Sequence, residues 1–140
     1  MNSIRVLIVD DVPQVRQGLA IVLNLVAKNA WPKIEVIGEA SNGIEAIEQA
    51  RALRPNVILM DLEMPALNGY EATRQIKAEH PALRVIILSV HTGREDQERA
   101  RAAGADGVVT KGAGYAVLAD AILGRHDPTH LSDIKEGDEL

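Results

Sequence analysis

Asp61 closes an apolar run, Val57-Ile58-Leu59-Met60, and is followed by Leu62-Glu63-Met64-Pro65. A second run, Ile4 to Val9, ends in the adjacent acids Asp10 and Asp11. A third, Val85 to Leu88, ends in Ser89, and the short run Val108-Val109 leads to Lys111. Open α/β sheets place their chemistry on polar residues at the carboxyl ends of central strands. Adjacent carboxylates raise one another's pKa unless a cation neutralises them. A hard divalent ion favours such oxygen ligands, and magnesium keeps several waters around itself. A carboxylate is a weak nucleophile, yet it can attack a phosphorus whose negative oxygens are neutralised by a metal and a lysine. Three acids, one hydroxyl and one lysine in this arrangement point to a cation-dependent site that receives a phosphoryl group on Asp61.

Each residue has a plainer explanation when taken singly. Asp10 or Asp11 could cap the helix that follows. Lys111 could be a solvated surface residue, and Ser89 a strand-end cap. Their convergence after separate strands of one sheet favours the chemical reading, although one acid could both cap and coordinate.

The elements that must hold these groups are legible in the hydrophobic pattern. Ile4–Val9, Val57–Met60, Val85–Ser89 and Val108–Val109 read as strands, the long runs covered on both faces. Glu35–Glu39 reads as a further strand. Pro13 suits a first helical turn, and the stretch from Val15 to about Lys28 has helical spacing, with Val15, Leu19, Val22, Leu23 and Val26 as its core stripe. Ile21 and Leu25 widen that stripe, either beneath a neighbouring loop or as a partner-binding face. Asn42 with Glu45, Asn68 with Glu71 and Thr92 with Glu95 resemble capping boxes for three further helices. The first of these runs to about Leu53, where Pro55 stops it, and Tyr115–Leu123 supplies a last helix. Strands alternating with helices imply an α/β fold, a doubly wound five-stranded parallel sheet flanked by five helices. Gly104 and Gly107 read as turn residues closing the fourth helix and opening the fifth strand.

Composition narrows the function classes. The chain has 140 residues, 46% of them apolar, enough for one domain with a real core. It contains no cysteine, which excludes thiol chemistry and a disulfide framework. Its formal net charge is -5, with five acids against two bases from Gly124 onward. One Trp, two Tyr and no Phe leave no stacking platform for bases, and no basic face suits nucleic acid. No apolar stretch is long enough to cross a membrane, so a cytoplasmic location is the default expectation. Neither a G-x-x-x-x-G-K-[ST] phosphate loop nor a dinucleotide fingerprint is present.

Together, Asp10-Asp11, Met60-Asp61-Leu62-Glu63-Met64-Pro65 through Asn68-Gly69, Ser89, and Gly104-Ala105-Asp106-Gly107…Lys111 resemble the response-regulator receiver domain. The resemblance covers about residues 3–123, and Ser89-Val90-His91 is most similar to receivers that carry helix-turn-helix DNA-binding output domains. It implies a flavodoxin-like receiver fold over residues 1–123, with 124–140 an acidic tail or linker stub. It implies phosphoryl transfer to Asp61 from a partner histidine kinase or histidine phosphotransfer protein, then slow autodephosphorylation. Asp11, Asp61 and the backbone carbonyl of Glu63 would ligate Mg²⁺, with Asp10 acting through a metal-bound water. Lys111 and Ser89 would contact the phosphoryl oxygens, and output would pass to the face formed by the fourth helix, fifth strand and fifth helix, a surface suited to homodimerisation. Two other classes stay open: a receiver-shaped interaction module that is not phosphorylated, and a Mg²⁺-dependent phosphohydrolase with an aspartate nucleophile.

The chain departs from the family's pattern at three places. Val108 stands where many receivers have Tyr or Phe, and a valine cannot swing over the same distance. Gly112 replaces the usual proline after the lysine, and with Gly114 it should loosen the loop carrying Lys111. Val90 replaces a small residue and could narrow access to Asp61. Glu63 and His91 could overhang the same pocket or be ordinary surface residues.

Overall fold

The computed structural model describes residues 3–26, 29, 32–64, 67–90 and 92–124. Five strands and five helices alternate: β1 (Ser3–Val9), α1 (Pro13–Val26), β2 (Lys33–Ala40), α2 (Gly43–Leu53), β3 (Val57–Asp61), α3 (Gly69–Glu79), β4 (Arg84–Ser89), α4 (Arg94–Ala102), β5 (Gly107–Thr110) and α5 (Tyr115–Leu123). The strands form one parallel sheet in the order β2-β1-β3-β4-β5. The order reverses between β1 and β3, so the loops leaving these two strands diverge to opposite faces and open a crevice at their carboxyl ends.

The unbroken apolar runs are explained by what each face meets. Leu7, Val9, Ile58, Met60, Val85, Ile87 and Val108 point into one core with Ala46, Ala50, Ala72, Ile76 and Ala100 of α2, α3 and α4. Val6, Ile8, Val57, Leu59, Ile86, Leu88 and Val109 point into the other, against Leu19 and Leu23 of α1 and Leu118 and Ile122 of α5. Each fully buried Leu or Ile contributes about 1.5–3 kcal/mol. That burial on both faces fixes the strand register, since a one-residue slip would exchange the two cores.

Arginines fasten helix ends to the amino-terminal edge of the sheet. Arg5 Nη1 and Nη2 donate to the carbonyls of Arg54 and Leu53 at the end of α2, each at 2.8 Å. Arg84 donates to the carbonyls of Ile122 and Ala121 at the end of α5. Both side chains satisfy carbonyls that a helix terminus leaves without intrahelical partners.

Several expectations need correction. Asn42 and Asn68 cap as anticipated, accepting from the backbone N–H groups of Glu45 and Glu71 at 2.8 and 3.0 Å. Thr92 does not: α4 starts after Gly93, which makes no side-chain cap, and the Thr92 hydroxyl meets that of Thr110 at 3.0 Å instead. Val15 is 49% exposed and no core residue, because it lines an open crevice between α1 and the segment that carries Gly112, Gly114 and Tyr115. A crevice of about 520 Å³ remains between α1 and α5 there. Val22 is half-buried, while the Val26 side chain and residues 27–28 lie outside the described residues. Ile21 and Leu25 are 61% and 67% exposed, so no described loop covers them. Gly104 takes φ 94° after α4 and Gly107 opens β5, both as expected, although Gly107 does so without a positive φ. Pro65, His91 and residues 125–140 lie outside the described residues, and with them the expectations for His91 and the tail.

Candidate functional site

The strand ends deliver the anticipated side chains to the switch-point crevice. Asp10 follows β1 and is held by three bonds. Its N–H donates to the Ala40 carbonyl at 3.0 Å, its own carbonyl accepts Arg16 Nη1 at 2.7 Å, and its Oδ1 accepts the Val12 N–H at 2.9 Å. The last bond has Asp10 shaping the turn before α1, which is not the helix cap expected of one of the two acids, because Val12 precedes the helix. Asp11 stands beside it, half-exposed to the crevice mouth. Asp61, the last residue of β3, is 2% exposed. Ligand oxygens of Asp10, Asp11 and Asp61 all lie within 4.8 Å of one another. Glu63 is exposed, and its N–H faces Asp61 Oδ1 at 3.4 Å.

Lys111 reaches across from the end of β5, and its Nζ lies 2.7 Å from Asp61 Oδ1. Its backbone N–H donates to the Ser89 carbonyl at 2.9 Å, continuing the β4–β5 ladder in which Ser89 faces Thr110. Ser89 is buried at the end of β4. The structure therefore brings Asp10, Asp11, Asp61 and Lys111 into one cluster, with Ser89 anchored to the Lys111 backbone and Glu63 on the loop that follows Asp61.

The electrostatics are those of an acidic site short of positive charge. Burial raises the Asp10 pKa above the ordinary carboxylate value; the bond from Val12 opposes this, while Asp61 adds to the rise, Lys111 offsets part of it, and Asp11 adds again. Burial pulls the Lys111 pKa down, but the bond to Asp61 and the charges of Asp61, Asp10 and Glu63 outweigh it, so the net shift is upward. One ammonium faces three carboxylates. A divalent cation fits the remaining deficit, and the all-oxygen donor set suits magnesium better than a softer metal.

Backbone packing fixes Asp61 from behind. A Cβ on Gly69 would stand 2.7 Å from the Asp61 carbonyl oxygen, so only glycine lets α3 start this close to the strand end. Sequence reasoning missed five other supporting residues: Arg16 with its partner Glu39 at 3.0 Å, and the Thr92–Thr110 pair with Gln97. Arg16 is the sole charged residue in the 14-residue α1, and Thr110 is a polar residue at a strand end, the same signal that singled out Ser89. The family departures can be placed: Val108 is buried at 2% exposure, Val90 is 54% exposed, and Gly112 is exposed beside Lys111.

The family model of the response regulator receiver domain matches residues 6–123. The chain belongs to this family. The receiver is 40% identical over 119 residues to the response regulator GacA of Pseudomonas viridiflava, covering 85% of this chain and 53% of that protein. It is 39% identical over 120 residues to the response regulator protein VraR of Staphylococcus aureus, covering 86% and 55%. The receiver thus spans about half the length of the curated relatives it matches. Among solved structures, the signal receiver domain of the putative response regulator NarL from Mycobacterium tuberculosis superposes with a TM-score of 0.79 at 28% identity, over 89% of this chain and 96% of that one. The five-stranded receiver fold is therefore shown both by family and by shape. No helix among the described residues is long and apolar enough to cross a membrane.

Proposed function

We propose that this receiver works as a phosphorylation-dependent switch of a two-component system, with Asp61 as the acceptor. The observation that carries this reading is the cluster itself: a buried carboxylate at a strand end, paired with a lysine and flanked by two more acids within 4.8 Å. The phosphoryl donor would be a phosphohistidine on a partner kinase or phosphotransfer protein. An Asp61 oxygen attacks phosphorus in line, the P–N bond to the donor imidazole breaks, and its electron pair stays with the leaving nitrogen. Lys111 moves its charge from the Asp61 carboxylate to the equatorial phosphoryl oxygens. Ser89 donates its hydroxyl to one of those oxygens.

Asp11, Asp61 and the Glu63 carbonyl would hold Mg²⁺, with Asp10 acting through a bound water, and the ion would neutralise charge on the transferring group. Water later cleaves the acyl phosphate and returns Asp61 to its resting state. The phosphorylated and resting forms differ by a shift between two packings of the chain.

The receiver would occupy residues 1–123, with 124–140 an acidic tail or linker stub, and the resemblance carried by Ser89-Val90-His91 supports service to a helix-turn-helix output domain. The α4–β5–α5 face would carry the signal and a homodimer contact. Charges of both signs on α4, Arg94, Glu95, Glu98 and Arg101 among them, support a two-fold contact there. A cytoplasmic location follows from the proposed partners.

The test is labelling by acetyl phosphate in the presence and absence of Mg²⁺. The expected result is one phosphoryl group per chain, Mg²⁺-dependent and lost in Asp61→Asn. Absence of labelling would leave an interaction module, and turnover far beyond one equivalent would favour a phosphohydrolase.

A further inference from the structure

The loop that joins β4 to α4 is tied to β5 by side chains that no part of the phosphoryl chemistry uses. The Thr92 hydroxyl lies 3.0 Å from the Thr110 hydroxyl, across 18 residues of sequence. On the far side of Thr92, Gln97 Nε2 donates to the Thr92 carbonyl at 3.0 Å. Gln97 is 5% exposed, so this amide is spent inside the protein and holds the loop against the first turns of α4. A buried donor is costly to leave without a partner, which makes this contact a constraint on the loop.

The position of the clip is what matters. Thr110 is the residue before Lys111, and Thr92 is the third residue after Ser89. The two strand ends are already joined by the bond from the Lys111 N–H to the Ser89 carbonyl at 2.9 Å. The hydroxyl pair adds a second tie between the same two chains, so the residues bearing the ammonium and the site hydroxyl cannot separate without breaking both. Val108 and the glycines at 112 and 114 supply no such restraint: the valine is a buried core residue, and nothing approaches within 4 Å of where a Cβ would stand on either glycine. Thr92 and Thr110 add side-chain restraint to this side of the site, beside the backbone bonds from Lys111 N–H to Ser89 and from Ala113 N–H to the Thr110 carbonyl.

We propose that Thr92 and Thr110 are positioning residues for phosphoryl transfer, holding Ser89 and Lys111 in register over Asp61 through their mutual hydrogen bond, with Gln97 as its support. This rests on the phosphoacceptor reading of Asp61. Neither hydroxyl touches the phosphoryl group; they act through the two residues that do.

The experiment measures the rate of Mg²⁺-dependent labelling by acetyl phosphate for the whole chain, Thr92→Val, Thr110→Val, the double variant, and the serine variants Thr92→Ser and Thr110→Ser. Valine keeps the shape and removes the hydroxyl, so the fold is retained, which thermal unfolding checks. Each valine variant is expected to label about three- to tenfold more slowly, the factor that corresponds to the net worth of one hydrogen bond. The double variant is expected to be no slower than either single one, because both changes delete one shared bond. The serine variants should recover the original rate, and Mg²⁺ affinity should stay unchanged, since the acids stand on β1 and β3. Unchanged rates in the valine variants, additive losses in the double variant, or failure of serine to restore the rate would each overturn the clip while leaving Asp61 as acceptor. If the unsubstituted chain takes no label, the acceptor reading falls and this inference with it.

Discussion

Asp10→Asn removes one charge from the acidic cluster while keeping the oxygen that accepts the Val12 N–H at 2.9 Å. At the widest oxygen separation of 4.8 Å and an effective dielectric of about 20, two carboxylates repel by about 3.5 kcal/mol. Asp10 faces two such neighbours, but Lys111 offsets part of the repulsion and solvent around Asp11 screens more. Adding the relief of burying a charge, the net gain without metal should be about 1–2 kcal/mol, or roughly 3–10 °C in Tm for a domain of this size.

The sign with pH follows from the raised pKa of Asp10. A carboxyl whose folded-state pKa is raised favours the folded state below the unfolded-state value and loses that advantage as pH rises through the folded-state value. The difference between variant and parent should therefore be absent in acid, grow through that window and level off above it. Magnesium narrows the gap: for the parent, a concentration ten times the Kd adds about 1.4 kcal/mol, and Asp10→Asn should lose most of it. Thermal unfolding in chelator and in millimolar Mg²⁺, at several pH values, measures all three effects. No rise in chelator, a pH-independent difference, or a full magnesium shift in the variant would refute the account of the site as a charge-deficient cation cradle.

Other substitutions test separate parts of the structure. Gly69→Ala places a methyl 2.7 Å from the Asp61 carbonyl oxygen; it should cost about 1–3 kcal/mol in urea unfolding and slow Asp61 labelling as well, because the strand end must move. Lys77→Met removes an ammonium that bonds Asp106 at 3.0 Å and the carbonyls of Pro81 and Leu83 at 3.1 and 2.8 Å; chemical unfolding should show a loss of about 2–4 kcal/mol. Val90→Ala trims an exposed side chain next to Ser89 and should speed labelling by a small donor or loss of the label, both read from radiolabel time courses; unchanged rates for both would remove the steric role of Val90.

The sheet was legible because its strands are covered on both sides, which leaves unbroken apolar runs with polar residues at their ends. The same rule located Asp10, Asp61, Ser89 and Lys111, since a strand end in a parallel sheet is a fixed address. What escaped was set by partners distant in sequence. Thr92 has the residue type of a helix cap, and only the arrival of Thr110 from the neighbouring strand redirects its hydroxyl. Val15 has helical spacing with Leu19, yet it lies on an open crevice in which Gly112 and Gly114 bring no side chain toward it. Arg16 looks like an ordinary surface charge until its guanidinium is seen holding the Asp10 carbonyl.

The bonds from Arg84 to the last carbonyls of α5 have a mechanical consequence. They pin that helix at the end farthest from Lys111, while its first turn follows Gly114, whose φ is 97° and whose surroundings are open. A rod fixed at one tip pivots. For nine residues at about 1.5 Å each, a lean of about 5° carries the free tip roughly 1 Å. A small displacement beside Lys111 would thus reach the outer surface as a swing of Tyr115 and Ala116, with the opposite rim of the molecule standing still.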